Sequence, residues 1–246
     1  MIRLKSYSAK SHQGPYLQVN EDGVLVDYAN RLAIVMDGFG GAGIGDVCIQ
    51  KIRDQIKNFY LRASKDPDAT MPFYFSIKYL LEGNALINAF HYAHDSMLKE
   101  NKTKDMSNRG GASVIGVSQS ENLLTFVSAG NIFALLSRKG TLDIVLAPDS
   151  LQFVSDDRFT GQYSTSPLSG IGLFQELHLN CREIKVQEGD QIVLMTDGVY
   201  SRLAYRELRH IISDPDQTSA DKINALFKTS CQRGNMDNQT ALFLHY

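Results

Sequence analysis

The stretch Arg31-Leu32-Ala33-Ile34-Val35-Met36-Asp37-Gly38 has an echo in Asp190-Gln191-Ile192-Val193-Leu194-Met195-Thr196-Asp197-Gly198: an apolar run, then aspartate, then glycine. Such runs, bounded by polar residues, read as strands buried on both faces. Asp-Gly is most often a hairpin turn, but a hairpin needs a returning strand. Here the residues after each copy carry helical spacing instead. A third acid, Asp237, precedes the last apolar run in Met236-Asp237-Asn238-Gln239-Thr240, and Glu21-Asp22 lies upstream of the first. Carboxylates at strand ends far apart in sequence converge only through folding, and a converged cluster of like charge calls for cations. The pattern predicts a divalent metal site held by rigid strand ends.

Working outward, residues 2–8, 23–28 and 31–36 read as strands. Val47, Ile49, Ile52, Ile56 and Phe59 set a helical period over 42–62. The breaker-rich Lys65-Asp-Pro-Asp-Ala-Thr-Met-Pro72 reads as a loop. A second helix is expected over about 76–100. Strands at roughly 111–119, 122–128 and 132–138 read as a meander. Residues 148–180 are irregular, with Pro148, Pro167 and several glycines. Strands return at 181–186 and 190–196, helices follow at about 203–213 and 219–231, and a last strand covers 239–245. Without regular βαβ alternation, the sheets are expected to be antiparallel with helices outside.

Composition excludes several classes. The chain has 246 residues, is 43% hydrophobic and 21% charged, and sets Lys+Arg 25 against Asp+Glu 27. This is ordinary for a globular protein and within range for one large β-rich domain over 1–246. The balance gives no electrostatic footprint for nucleic acid or an anionic membrane surface. No apolar stretch spans a bilayer, and the N-terminus lacks the apolar segment of a signal peptide. Cys48, Cys181 and Cys231 are widely spaced, odd in number and without a C-x-x-C, so reduced structural thiols and a cytoplasmic setting are expected.

Other motifs compete. Gly38-Phe39-Gly40-Gly41-Ala42-Gly43 is a literal G-x-G-x-x-G between a strand and a helix, the form of a dinucleotide-binding turn. A Rossmann unit then needs a second parallel strand ending in an acid, whereas this helix leads to Lys65-Asp-Pro-Asp and another helix. The glycines also suit close approach of the Gly38 carbonyl to a cation. His91 and His94 lie three apart on a helix, without a third zinc ligand nearby, and read as a solvated face. No G-x-S-x-G and no phosphate loop ending in Gly-Lys-Ser/Thr is present.

The ordered motifs resemble the metal-dependent protein phosphatases, the type 2C serine/threonine family, over nearly the whole chain. Asn20-Glu21-Asp22 resembles the N-terminal acidic motif. Val35-Met36-Asp37-Gly38-Phe39-Gly40-Gly41 resembles D-G-x-G-G. Gly110-Gly111-Ala112-Ser113 resembles the segment opening the central strands, and Asp197-Gly198 and Asp237-Asn238 resemble the last two metal motifs. The resemblance implies an α+β fold, an α-β-β-α sandwich with two central antiparallel sheets flanked by helices, and a variable flap at about 148–180. It also implies two Mg2+ or Mn2+ ions. Asp37 would bridge both, Asp197 and Asp237 would hold one, and the Gly38 carbonyl the other, with Glu21 or Asp22 reaching it directly or through water. A metal-activated water would attack phosphorus in line, without a phosphoenzyme.

Three departures qualify that expectation. Leu17 stands where many relatives place a phosphate-gripping arginine. Phe39 replaces a histidine found in some members. Gly130-Asn131-Ile132 replaces the family's G-D-S, whose aspartate ligates a third ion, so that ion is expected to be weak or absent. The same losses occur among bacterial relatives that act on small regulatory proteins. The expectation is therefore a cytoplasmic, bacterial-type phosphatase acting on a phosphoprotein, with neither nucleic acid nor membrane as partner. The reading from a different class is a pseudophosphatase that binds a phosphoprotein without turnover. Retention of Asp37, Asp197 and Asp237 argues against it.

Overall fold

The computed structural model describes residues 1–40, 43–151 and 165–246. Among these, the strands are β1 (Ser6–His12), β2 (Asp22–Asp27), β3 (Leu32–Gly40), β4 (Gly110–Ser120), β5 (Leu123–Ala129), β6 (Phe133–Arg138), β7 (Thr141–Leu146), β8 (Asn180–Lys185), β9 (Gln191–Met195) and β10 (Gln239–His245). They form two five-stranded sheets, in the orders β1-β10-β9-β6-β7 and β2-β3-β4-β5-β8. Every pairing is antiparallel. The helices are α1 (Ile44–Ala63), α2 (Leu81–Lys102), α3 (Asp197–Tyr200), α4 (Tyr205–Ile212) and α5 (Ser219–Gln232). The α+β sandwich expected from the sequence is the observed architecture.

The apolar runs follow from having both sheet faces buried. On β3, Leu32, Ile34 and Met36 pack outward against Ile52, Ile56 and Phe90 of α1 and α2. Ala33 and Val35 face the other sheet, meeting Leu194 and Leu242. On that second sheet the parity repeats: Val193, Met195 and Phe243 pack outward against Leu208, Leu226 and Phe227 of α4 and α5. A strand buried on both faces needs an apolar residue at every position, not every second one. Among the described residues no helix is long and apolar enough to cross a membrane, and all three cysteines are free.

Four expectations change. The first strand lies at Ser6–His12, not 2–8. It is an edge strand with much exposure, so its alternation is faint, and the apolar Ile2 and Leu4 pack against the inter-sheet core before the ladder begins. The second helix starts at Leu81, because buried Asn84 and Asn88 hold the preceding backbone in a loop. Asn84 Oδ1 accepts from Ser76 N at 2.9 Å, and Asn88 Oδ1 from Phe73 N at 2.9 Å. β7 was not foreseen at all. Part of the irregular 148–180 stretch is core: Ile171 is fully buried and bridges Ala112 of β4, while residues 152–164 lie outside the described residues.

The dinucleotide reading is overturned by topology. β3 has antiparallel partners on both sides, β2 and β4, so no parallel βαβ unit exists for the glycine-rich turn. Gly41 and Ala42 of that motif are outside the described residues. His94 is also not on a solvated face: it is 6% exposed and its Nδ1 accepts from Gly172 N at 3.2 Å. His91 stacks on Phe73 with ring centroids 5.9 Å apart.

A buried carboxylate sits at the start of β9. Arg138 Nε and Nη2 donate to the two carboxylate oxygens of Asp190 at 2.7 and 2.6 Å, and Gln187 N donates to Asp190 Oδ2 at 2.7 Å. The Asp190 side chain is 1% exposed and that of Arg138 26%. Asp190→Ala leaves the guanidinium, which water still reaches, and an amide without their acceptor. It is expected to cost about 1–3 kcal/mol, read as a lower urea midpoint; an unchanged midpoint would show that water replaces the carboxylate.

Candidate metal centre

The inner faces of both sheets are apolar until the strands run out at one end. Val24, Val35 and Ile115 face inward. By strand alternation, Asp22, Asp37 and Ser113 fall on the same face two residues away. They stand abreast, Asp22 opposite Asp37 and Asp37 opposite Ser113 in the ladder. Across the gap, Leu194 and Leu242 give way to Thr196 and Thr240. Thr196 Oγ1 donates to Asp22 Oδ2 at 2.8 Å, tying one sheet to the other, and accepts from Thr240 N at 2.9 Å.

Asp197 follows at the start of α3. Asn131, in the β5–β6 turn and 2% exposed, donates from Nδ2 to Asp197 Oδ2 at 2.8 Å. The Asn131 Oδ1 accepts from Ser113, and its backbone carbonyl accepts from Tyr200. Thr165 also hydrogen-bonds Asp197 Oδ2. Asn131 thus occupies, as a neutral donor, the place where the resemblance implies a carboxylate.

Asp237 sits just before β10, with Oδ1 accepting from Asn238 N at 2.8 Å. Asn238 fastens the N-terminal loop to this corner. Its Oδ1 accepts from Glu21 N at 2.8 Å, and its Nδ2 donates to Gln13 O at 2.8 Å and Val19 O at 3.0 Å. Of the acidic pair, Asp22 is the inward member, committed to Thr196. Glu21 faces the other way, where its Oε1 accepts from Gly45 N at the start of α1 at 3.0 Å.

The two glycines after the aspartates are packing requirements. A Cβ on Gly38 would lie 2.7 Å from Glu21 O and 2.7 Å from Gly45 O; one on Gly198 would lie 1.8 Å from Asn238 O. Gly38 therefore lets the Glu21-Asp22 segment reach Asp37, and Gly198 lets Asp237-Asn238 reach Asp197.

Electrostatics show the convergence. Asp22 and Asp197 are 6% and 8% exposed, while Asp37 stays partly exposed. Burial, then repulsion from Asp197, Asp22, Asp237 and Glu21, drives the Asp37 carboxyl well above the usual carboxylate range. Asp22 is raised by burial and by Asp197 and Asp237, against the opposing hydrogen bonds of Thr196 and Thr240. Burial and Asp237 push Asp197 to about 6, while contacts from Thr165, Gly198 and the Asp37 side chain oppose the rise. Carboxyl groups brought this close call for a proton or a cation among them.

Among the described residues, no three His, Cys, Asp or Glu side chains form a ready-made cage around one point. The donor chemistry nevertheless fits Mg2+ or Mn2+. All donors are hard oxygens, the charge is uncompensated, and Mg2+ keeps several waters and needs few carboxylates. Sequence reasoning found Asp22, Asp37, Asp197 and Asp237. It missed Ser113, Thr165 and Thr196 as supports. Thr196 was visible as the next inner-face position after Leu194; Thr165 had no local signal.

A family model described as Stage II sporulation protein E (SpoIIE) matches residues 79–244. Among solved structures, the Mycobacterium tuberculosis serine/threonine phosphatase PstP/Ppp has a TM-score of 0.77 at 19% identity, with 98% of this chain and 97% of that one covered. Pseudomonas aeruginosa PppA scores 0.74 at 21% identity, covering 98% of each chain. The catalytic domain of PstP in complex with two manganese ions scores 0.73 at 20% identity, covering 98% and 97%. A search of curated proteins finds no match. The fold is that of the bacterial PPM-type serine/threonine phosphatases. Within that class, the chain belongs to the Stage II sporulation protein E family.

Removing one of the converged charges tests their repulsion without any assay of turnover. Asp197→Asn keeps an oxygen for Asn131 and deletes the charge facing Asp37. In chelator at pH 7.5 it is expected to stabilise the fold, by on the order of 1–3 kcal/mol, and to show a smaller rise in Tm with Mn2+ than wild type does in the same titration. A lower Tm than wild type in chelator would show that the charge at 197 is already compensated.

Proposed function

We propose that this chain hydrolyses phosphoserine or phosphothreonine on a protein substrate, with two Mg2+ or Mn2+ ions held by Asp37, Asp197 and Asp237. The convergence of Asp22, Asp37, Asp197 and Asp237 at one end of the sandwich carries this reading. Asp22 and Asp37 face each other in the ladder, and each of Asp22, Asp37 and Asp197 is pushed upward by burial and by the charge of its acidic neighbours. Bound divalent ions supply neutralisation of the phosphoryl oxygens and lower the pKa of water.

The chain's own residues set up that chemistry. Asp37 lies within β3, between β2 and β4, so both neighbours in the ladder fix its position. Asn131 orients Asp197 through its amide and, being neutral, adds no ligand charge for a third ion. Asp22 is a support: its oxygen is taken by Thr196 inside the sandwich. Glu21, whose carboxylate meets the start of α1, and the Gly38 carbonyl are the remaining oxygen donors in this reading. No nucleophilic Ser or Cys is required, since water is the nucleophile. The family, the PPM fold and the two-manganese complex of PstP support the reading.

Phosphatase activity on a phosphopeptide is expected to require Mn2+ or Mg2+ and to vanish with Asp37→Asn, which removes a charged ligand. Activity persisting in excess chelator would end the proposal. Metal binding by calorimetry with no turnover on any phosphoprotein would instead favour the pseudophosphatase.

Substrate grip is the second consequence. Leu17 lies in the loop that Asn238 ties to the carboxylate corner, and it is 41% exposed. It has no donor for phosphate. A charge-assisted hydrogen bond contributes about 1.5–3 kcal/mol, or roughly ten- to a hundred-fold in affinity. A small ester has no other surface to compensate, whereas a folded phosphoprotein does. Leu17→Arg is expected to lower KM for an aryl phosphate while changing a protein substrate less. An unchanged small-ester KM in a well-folded variant would mean that residue 17 takes no part in phosphate binding.

A further inference from the structure

We propose that the end of the sandwich opposite the carboxylates is a second binding site, for a small phosphate monoester with an apolar or aromatic body. A cavity of about 240 Å³ opens there. One wall is the N-terminal segment, with Arg3 and Leu4; the other is the β2–β3 hairpin, with Tyr28 and Arg31; Ala33, Val117 and Leu244 of the inter-sheet core line the floor. Leu32 opens β3 and Asp37 lies five residues along it, which at about 3.3 Å per residue separates the two sites by roughly 16 Å.

The walls are fixed by hydrogen bonds of the chain itself. Tyr28 Oη donates to Leu4 O at 3.1 Å, and Gln119 Nε2 donates to Ile2 O at 2.6 Å. Ile2 N donates to Asn122 Oδ1 at 2.7 Å, and Gln119 N donates to Arg31 O at 3.1 Å. A ligand entering this cavity meets walls that are already tied together, which limits the ordering cost of binding.

Charge selects the ligand. Among the described residues, neither the Arg3 nor the Arg31 guanidinium makes a side-chain hydrogen bond or ion pair. Asp27, a carboxylate on the lining, is already committed. Its Oδ1 accepts from Asn30 N at 3.1 Å and Asn30 Nδ2 at 2.8 Å, and its Oδ2 meets Lys57 Nζ at 3.1 Å. The lining therefore carries two exposed guanidiniums without a protein partner among the described residues, one from each wall. Guanidinium forks match phosphate oxygens, and a phosphate monoester carries about −1.5 to −2 at pH 7. A simple carboxylate balances only one of them. The apolar floor then takes the ester's body.

Arg31 has φ 52°, close to the turn residues Glu121 and Lys139 at 50° and 49°, in the left-handed region where glycine and asparagine are the usual occupants. The turn sets that backbone conformation and does not depend on the arginine side chain.

The test is isothermal titration of the full chain with phenylphosphonate, which carries the dianionic head and has no ester bond to hydrolyse. No divalent metal is added, so the carboxylate end has nothing with which to recruit a phosphonate. Saturable binding is expected, weakened about tenfold or more by Arg3→Gln and by Arg31→Gly. Glycine suits the left-handed turn, so Arg31→Gly should keep or raise Tm, and its loss of binding is not loss of fold. Inorganic phosphate should bind more weakly, lacking a body for the floor. The proposal is overturned by absence of saturable binding, by affinity that both variants leave unchanged, by inorganic phosphate binding as tightly as the phosphonate, or by binding that appears only with added Mn2+. None of these outcomes depends on turnover at the carboxylate end.

Discussion

Repulsion among Asp22, Asp37, Asp197, Asp237 and Glu21 is the force that the rest of this end of the molecule answers. The fold answers it in two ways. Neutral donors are brought to the carboxylates: Thr196 to Asp22, and Asn131 and Thr165 to Asp197. The backbone is also packed so tightly that the acids cannot move apart. Asn238 ties β10 to the N-terminal loop by three hydrogen bonds, and Gly38 and Gly198 leave no room for even a methyl group. A cluster held together against its own charge, with polar donors but no cationic partner among the described residues, has the character that the proposed metal ions would answer.

The Asp-Gly pairs were legible because two signals coincide in them. The apolar run before each aspartate reports a strand buried on both faces, and the glycine after it reports a close backbone approach. The sequence does not say which approach. At Gly38 the neighbours are Glu21 and Gly45, more than a dozen residues upstream and only a few downstream; at Gly198 the neighbour is Asn238, far along the chain. Such contacts are tertiary, and no local pattern encodes them. The same limit hid Asn84 and Asn88, which look like ordinary residues of an amphipathic helix. Their side chains instead take the backbone of the preceding loop, shortening the helix at its start. β7 escaped notice because its burial is uneven, with Thr141, Asp143 and Ile144 exposed at the sheet edge.

Asn131 shows how one substitution changes the logic of a site. A carboxylate there would add a further charge beside Asp197 and Ser113, and would need an ion of its own. The amide reverses the relationship. Its Nδ2 hydrogen-bonds Asp197 and its Oδ1 accepts from Ser113, so the residue becomes part of the scaffold that orients a ligand. The loss of an expected acid is thus compensated in the geometry actually adopted. The Asp22–Thr196 link likewise joins the two sheets through a neutral donor, which partly offsets the repulsion and burial acting on Asp22.

The β2–β3 hairpin connects the two ends. At one end of its ladder Asp22 faces Asp37; at the other Asp27 faces Leu32, with Tyr28 and Arg31 in the turn between. Both strands are anchored in apolar layers, β3 on both faces. Any displacement of the turn therefore has to be absorbed by strands packed at crystal-like density, where a sub-ångström shift is not easily dissipated. Lys57 of α1 pairs with Asp27 at the turn, while Glu21 accepts from Gly45 at the start of the same helix. Helix α1 thus touches both ends of the hairpin, through Lys57 at the turn and Gly45 beside Glu21.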